Sequence, residues 1–276
     1  MSRQEIAAQG RVFAQIYSLQ LRRLVAYRTD FWFGFASNLL ANVVLAYFLW
    51  TAIFSGRDTS IEGYTLFGMM YYYTLVPLVE NITRSSVGMG GMSSEIYEGT
   101  LTRYLVYPTP FFLYRVTHTA AAATVAVVQM GIVIGGFVLF SPSGNELGLS
   151  PWSVTLGLVA AFCAMLLNLL MASIVEMVAF WAENVWTLGV MLMFAVRLLG
   201  GALLPLALFP EPWQRALAYS PFPYMISFPI LSITGKVTGL EWLKGMGIIG
   251  AWVLALSWVY ALVWQRGNLR YSGAGQ

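Results

Sequence analysis

The stretch FWFGFASNLLANVVLAYFLWTAIF at residues 31–54 contains no charged side chain and is rich in aromatic and branched apolar residues. A helix needs about 20 apolar residues to cross the ~30 Å hydrocarbon core of a bilayer, so this run predicts a transmembrane helix. The whole chain shares this character, since 58% of its 276 residues are hydrophobic and 10% are charged, against a usual ~25%. The composition therefore predicts an all-α integral membrane protein.

Further apolar runs follow the first, and together they predict a single transmembrane domain over residues 1–276 with six spans. The second run is the shortest and contains Pro77, which a membrane helix tolerates when neighbouring helices satisfy the freed backbone group. The limits of this second span are the least sharply defined. The predicted spans cover residues 31–54, 64–80, 116–140, 152–181, 185–209 and 243–265.

The lysine and arginine residues are distributed unequally between the two sides of this six-span arrangement. One side carries ten of the 15, the other side carries four, and Arg197 lies within a predicted span. Because cytoplasmic loops collect basic residues, the richer side is predicted to be cytoplasmic, together with both termini and the loop at 81–115. The ten residues are Arg3, Arg11, Arg22, Arg23, Arg28, Arg84, Arg103, Arg115, Arg266 and Arg270.

Residues 1–30 precede the first span and are predicted to form a cytoplasmic interfacial helix. Over residues 4–28 the apolar side chains fall roughly along one face, as in a helix that lies on anionic lipid headgroups. Contact with a cytoplasmic partner is equally compatible with this pattern, so both interpretations stay open. The apolar residues are Val12, Phe13, Ile16, Leu24 and Tyr27.

Residues 209–240 follow the fifth span and contain prolines at positions 210, 212, 221, 223 and 229. Because proline interrupts the hydrogen bonding of a helix, this segment cannot form one straight span. It is nevertheless too apolar for an ordinary solvent-exposed loop. We therefore expect two short extracytoplasmic re-entrant helices, near 212–219 and 224–233, before the sixth span, and a cytoplasmic tail at 266–276.

A charged element of the length of a short helix lies in the long cytoplasmic loop. Residues 93–105, SSEIYEGTLTRYL, begin with serines suited to an N-cap, and Pro108 biases the residue before it away from helix. This composition predicts a short cytoplasmic helix that another subunit can approach closely, pair with and push. The candidate coupling residues are Glu95, Glu98, Gly99, Leu101, Arg103 and Tyr104.

Glu176 and Arg197 are ionisable residues within predicted spans, where a charge is costly and is therefore a candidate for function. Glu176 in the fourth span and Arg197 in the fifth lie at depths that differ by only ~7 Å, at about 1.5 Å per residue. We predict an ion pair between them. Such a pair either fixes the packing of the two spans or lines a polar pathway or a subunit interface, and the sequence leaves both roles open.

Motifs for catalysis are missing from the sequence. The nearest match to a nucleotide-binding loop, ITGKV at 233–237, lacks the earlier glycine and the Ser/Thr of that motif. The single histidine, His118, and the single cysteine, Cys163, are too few to build a metal site. We therefore predict that this chain is not an enzyme and has no catalytic, cofactor-binding or metal-binding residues.

Three stretches carry a resemblance to a known family: YEGTLTRYLVYPTPFFLYR at 97–115, GGALLPLALFPEPWQRALAYSPFPYMISFPILSITG at 200–235 and VWQRGNLRYSGAG at 263–275. They resemble the permease subunits of bacterial type 2 ATP-binding-cassette (ABC) exporters. The resemblance implies a coupling helix between spans two and three and a place in the bacterial cytoplasmic (inner) membrane. It also implies a second permease subunit, the same chain or a paralogue, and two ABC ATPase subunits that bind ATP and Mg²⁺.

The predicted function is that of the membrane permease subunit of an ATP-driven exporter, which forms the path for an amphipathic or lipid-linked molecule. Two alternatives stay open. An ion-coupled secondary transporter would use Glu176 and Arg197 as its site, although neither an internal repeat nor a series of midplane carboxylates is evident. A non-transporting assembly factor would use residues 93–105 for docking alone. Membrane lipid is a partner in every case, and nucleic acid is not, because no basic run adjoins a soluble fold.

Overall fold

A computed structural model describes residues 3–26, 28–55, 61, 63–84, 91–107, 110–140 and 149–271. Within these residues the chain is all-helical and contains no β-strand, as the composition predicts. Tyr27 of the predicted interfacial helix and the tail beyond residue 271 lie outside the described residues, and so does the side chain of Leu24.

The described residues form eleven α-helices and three short 3₁₀ helices. The α-helices are α1 (Arg3–Ala26), α2 (Arg28–Phe54), α3 (Leu66–Thr83), α4 (Gly91–Tyr97), α5 (Thr102–Leu105), α6 (Phe111–Phe140), α7 (Pro151–Glu176), α8 (Trp186–Leu199), α9 (Glu211–Leu217), α10 (Ser227–Ile233) and α11 (Gly239–Asn268). The 3₁₀ helices are Met177–Phe180, Leu206–Leu208 and Pro223–Met225.

Four of the described helices are long and apolar enough to cross a membrane, and they agree with predicted spans one, three, four and six. They cover Trp32–Phe54, Phe111–Leu139, Pro151–Phe180 and Gly239–Asn268. The helices α3 and α8 occupy the positions of predicted spans two and five but are shorter, with 18 and 14 residues. Length and composition therefore make the chain an integral membrane protein with four candidate spans among its described residues.

The predicted end of the fifth span is wrong. The prediction placed it at residue 209, whereas α8 ends at Leu199. Gly201 has φ +91°, in the left-handed region that favours glycine, so the helix cannot continue through this position. A side chain at Gly201 would also collide with the Oγ of Ser227 and meet the Oη of Tyr72 at 2.9 Å. The chain reverses here against α3 and α10.

The helices α3 and α7 lie at the centre of the molecule. Pro77 lies inside α3 without ending it, and Leu75 and Leu78 of α3 are fully buried in the cluster that also holds Leu167 of α7 and Ile230 of α10. In the most apolar stretch of α7, 56% of the residues are buried, whereas the corresponding share is 11% in α2 and in α11. Because side chains that face lipid stay exposed within a single subunit, α2 and α11 form the outer surface.

The proline-rich segment forms the two predicted short helices, α9 and α10. Six of the seven residues of α10 are buried, and the helix lies directly on α7. A Cβ at Gly157 of α7 would collide with the side chain of Ile233 and would lie 2.8 Å from its backbone nitrogen, so the absence of a side chain permits this contact. Packing against a span therefore accounts for the apolar character of α10.

The helix α1 lies along α6 rather than apart from the spans. Tyr17 Oη and Thr124 Oγ1 share a hydrogen bond of 2.8 Å. On the predicted apolar face, Val12 and Ile16 are half-buried and Phe13 is exposed. The helix itself is therefore as predicted, with one part of its apolar face against the protein.

Candidate functional site

The predicted coupling element at 93–105 is not one continuous helix. The structure divides it into α4, which ends at Tyr97, and α5, which begins at Thr102. Gly99 lies between them with φ +71°, a left-handed conformation in which other residues are strained. The glycine that the sequence suggested as a point of close approach for a partner thus serves to turn the chain between two short helices.

The carboxylate of Glu95 ties α4 to α5. It accepts a hydrogen bond of 2.6 Å from Thr100 Oγ1, an ion-paired one of 2.7 Å from Arg103 Nη2, and one of 3.2 Å from Tyr104 Oη. Burial raises the pKa of the Tyr104 hydroxyl to about 12, so it remains a donor at neutral pH. The structure therefore brings together three of the predicted site residues, Glu95, Arg103 and Tyr104. Their polar groups contact each other within the element.

Leu101 does not have the position expected of an anchor for a partner. Its side chain is fully buried and packs with Met92, Ile96 and Phe111 in a cluster that includes the turn after α7. Tyr104 adjoins the same cluster, with its ring centroid 5.0 Å from that of Phe111. The apolar residues of α4 thus hold this element against the spans.

The exposed surface of the element consists of different residues. Glu98 is exposed, and the side chain of Arg103 is 57% exposed. Beyond them lies an apolar ridge, which we define as Leu105, Val106 and Tyr107, with exposures of 42%, 80% and 53%. Val106 and Tyr107 were not predicted as site residues. Pro108 in the sequence was the available signal, because a residue before a proline is biased away from helix.

Two segments far apart in sequence meet at the α4–α5 element. Tyr97 Oη donates a 3.0 Å hydrogen bond to the carbonyl of Ala182 in the turn between α7 and α8. The backbone nitrogen of Thr102 donates one of 3.1 Å to Tyr271 Oη, just beyond α11. Hydrogen bonds therefore connect α4–α5 to the turn between α7 and α8 and to the residues just beyond α11.

The predicted ion pair between Glu176 and Arg197 is wrong in its partners. Glu176 Oε2 lies 2.6 Å from Arg115 Nη1 at the start of α6. Arg197 Nε lies 3.1 Å from Glu80 Oε1 on α3, and Glu80 Oε2 pairs with Arg84 at 2.9 Å. Both residues are paired within the helical bundle, in two separate clusters.

The wrong pairing has a simple origin. The predicted second span ended at residue 80 and the predicted third span began at 116, so Glu80 and Arg115 counted as loop or boundary residues. The helices extend further, since α3 continues to Thr83 and α6 begins at Phe111. Both side chains therefore enter the bundle, where α3 and α6 pack against α7.

A cavity of about 250 Å³ lies among α4, α7 and α8 beside these ion pairs. Its polar side includes Arg84, Ser93, Asn168 and Glu176, and its apolar side is formed mainly by α8. Asn168 is 4% exposed and donates a 3.1 Å hydrogen bond to the carbonyl of Thr83. The cavity thus adjoins both ion clusters and the start of the α4–α5 element.

The fold and this arrangement define an all-helical integral membrane protein in which a compact, charged, non-spanning element is attached to the spans. A family model described as ABC-2 family transporter protein matches residues 40–275. The chain therefore belongs to the ABC-2 transporter family, and it is a membrane permease subunit of an ABC transporter that associates with ABC ATPases. No curated protein and no solved structure matches the chain.

Proposed function

We propose that this chain is the permease subunit of an ATP-driven exporter of the bacterial cytoplasmic membrane, with both termini and the α4–α5 element on the cytoplasmic side. Family membership supports the permease role. The resemblance of residues 97–115 and 200–235 to bacterial exporters supports the outward direction and the bacterial membrane. The transported molecule is expected to be amphipathic or lipid-linked.

The proposed topology has six spans, with α3 and α8 added to the four long apolar helices. At about 1.5 Å per residue, α3 is ~27 Å long and α8 is ~21 Å long, against a hydrocarbon core of ~30 Å. In this topology the non-helical segment after α8 completes the crossing, and Tyr73 Oη donates a 3.0 Å hydrogen bond to its Leu203 carbonyl. Irregular backbone at membrane depth is tolerated where protein covers it in this way.

The meeting of α4, the α7–α8 turn and the residue after α11 is the observation that supports the six-span topology, because it brings these segments to one side. In a six-span chain with cytoplasmic termini, these three segments all lie on the cytoplasmic side. The hydrogen bonds from Tyr97 to Ala182 and from Thr102 to Tyr271 join them at one end of the molecule. The excess of arginine on that side supports the same assignment.

The proposed docking site for a separate ATPase subunit is the apolar ridge Leu105–Tyr107 with Glu98 and Arg103 beside it. The ridge exposes apolar side chains outside the spans, as interaction surfaces do. Motion of a docked ATPase would reach α7, α8 and α11 through the hydrogen bonds of α4–α5. By resemblance, two ATPase subunits bind ATP and Mg²⁺ and serve two permease subunits.

A comparison of two double variants at opposite ends of the molecule tests this docking site. Val106→Asp with Tyr107→Ser removes the ridge, and loss of such anchors costs ~2 kcal/mol or more, so ATPase co-purification should fall about 30-fold. Tyr219→Ser with Leu240→Asp, which changes residues 77% and 68% exposed, should leave it unchanged. Wild-type ATPase binding and wild-type export in the ridge variant would show that α4–α5 merely spaces two spans.

The ion-coupled alternative depended on Glu176 and Arg197 acting as one site. Each of them pairs with a different residue, at 2.6 Å with Arg115 and at 3.1 Å with Glu80. The observation that suggested this alternative is thereby removed.

A further inference from the structure

The ion clusters beside the cavity carry an excess of positive charge. Three guanidinium groups face two carboxylates, and no other described acidic residue lies within ion-pair distance of them. Within the part of the chain that the structure describes, one positive charge is thus left without a counter-charge in a partly buried setting. The groups are those of Arg84, Arg115 and Arg197, and of Glu80 and Glu176.

Arg84 is the arginine that lines the cavity. Its Nη2 pairs with Glu80, but its Nε is buried and has no hydrogen-bond partner among the described residues. A buried donor without an acceptor is costly, and a bound anion would supply the acceptor. Glu183, in the nearby turn between α7 and α8, is exposed and does not line the cavity.

The other side of the cavity is apolar and opens at its rim. Leu192 and Val196 of α8 line the interior, and Val196 is only 2% exposed. Trp186 and Met193, at the rim, are 59% and 38% exposed. Because tryptophan is enriched where a span meets the headgroup region, this rim suits entry from the side, out of the bilayer.

We propose that this cavity binds an anionic amphiphile, with its charged head near Arg84 and its apolar chain between Trp186 and Met193. The inference rests on the proposed topology, which places the rim at the cytoplasmic leaflet. A volume of about 250 Å³ lies just below the ~300–1,000 Å³ of small-molecule sites. It suits a head group and the first part of a chain, and it excludes a folded peptide or a polysaccharide.

Equilibrium binding to the full-length chain in nanodiscs of zwitterionic phosphatidylcholine tests the ligand class. Radiolabelled dodecyl phosphate should bind and be displaced by unlabelled dodecyl phosphate. Dodecyltrimethylammonium and inorganic phosphate at the same concentration should not displace it. Displacement by the cation would overturn the role of the excess charge, and displacement by inorganic phosphate would show a site for free anions rather than for amphiphiles.

Two variants with matched controls test the location. A Cβ at Gly189, which lines the cavity, would meet nothing within 4 Å, so Gly189→Leu should occupy part of the cavity and weaken binding at least tenfold. Gly131→Leu, at an exposed helical glycine with equally open surroundings, should bind as wild type. Arg84→Gln balances the charges and should also weaken binding at least tenfold, whereas Arg266→Gln at an exposed site should not.

Unchanged binding in both Gly189→Leu and Arg84→Gln would overturn the inference, because each removes one of its two requirements by independent means. The assay contains no nucleotide and no transport step. Failure of the wild-type chain to co-purify with an ATPase would therefore count against the proposed function alone, while the binding result would still decide this site.

Discussion

The two ends of the molecule fix their helices with different chemistry. We define the charged end by α4–α5, the α7–α8 turn and the ion pairs beneath them, and the hydroxyl end by the start of α3, residues 200–208 and α10. At the charged end, Arg115 and Glu176 pair at 2.6 Å, and each side chain is 10% exposed. At the hydroxyl end, Tyr72 Oη donates to the carbonyl of Gly201 at 2.8 Å, and Ser227 Oγ donates to that of Gly200 at 2.5 Å.

Because of this difference, we expect the hydroxyl end to be a stable attachment and the charged end to respond to changes in its surroundings. A neutral hydroxyl loses little solvation when it is buried and bonds one carbonyl, so the hydroxyl end gains a stable, local attachment. Buried ions lose much more solvation and are stable only while every partner stays in place. The charged end is therefore sensitive to anything that adds or removes a charge, such as a bound anion or a displaced α4. This is the property that the proposed coupling role requires.

The largest effect is expected from breaking the buried ion pair. Glu176→Gln leaves Arg115 uncompensated, and removal of one partner of a buried pair costs about 3–5 kcal/mol of the free energy of unfolding. Unfolding in mixed micelles would measure it. Arg115→Met with Glu176→Gln should recover part of the loss, because the two residues interact. Additive losses in the double variant would show that the residues are not coupled.

A smaller effect is expected at the hydroxyl end, where two adjacent tyrosines allow a matched comparison. Tyr72→Phe leaves the carbonyl of Gly201 without its donor and should cost about 1–3 kcal/mol of unfolding free energy. Tyr71→Phe should be neutral or stabilising, because the buried hydroxyl of Tyr71 has no hydrogen-bond partner among the described residues. Equal losses in the two variants would indicate that ring packing, rather than the hydrogen bond, fixes this end.

Replacement of the turn glycine in the α4–α5 element should have a third, more local effect. Gly99→Ala forces alanine into a left-handed conformation, at about 1–2 kcal/mol, and should loosen α5. Gly131→Ala, in the exposed middle of α6, should instead stabilise by about 0.5–1 kcal/mol. Hydrogen exchange at 98–105 measures the first change, and unaltered protection there would mean that the turn does not depend on glycine.

The smallest effect on the free energy of unfolding is expected from an exposed ion pair that belongs to neither of the two buried networks. Glu211 and Arg215 of α9 pair one helical turn apart, but their side chains are 72% and 74% exposed. Glu211→Gln should therefore change the unfolding free energy by less than about 1 kcal/mol. A loss as large as that of Glu176→Gln would remove the distinction between buried and exposed pairs on which the comparison depends.

The sequence predicts much of the fold because a long apolar run that crosses lipid forms a helix, in which its backbone groups are hydrogen-bonded. The spans at 31–54, 116–140, 152–181 and 243–265 agree with four observed helices. The early end of α8 was not predictable from hydropathy, since residues 200–209 are as apolar as the helix before them. The left-handed φ of Gly201 and its close packing against Tyr72 and Ser227 end the helix there.

The candidate site was less predictable than the fold. Glu176 and Arg197 were predicted to pair because their estimated depths in two neighbouring spans are similar. Side-chain pairing, however, depends on which helices pack against each other in three dimensions. In the same way, the sequence of 93–105 does not distinguish apolar side chains that face a partner from apolar side chains that are buried. Leu101 is fully buried and Val106 is 80% exposed, although both are branched aliphatic residues of one short segment.

Thiol labelling from one side of the membrane tests most directly the central claim, that the charged end is cytoplasmic and the hydroxyl end is not. In a Cys163→Ser background, single cysteines replace Tyr219, 77% exposed after α9, and Val106, 80% exposed after α5. An impermeant thiol reagent applied to intact cells should label the cysteine at 219 and should reach the one at 106 only after permeabilisation. Labelling of position 106 in intact cells, or of both positions from the same side, would contradict the account.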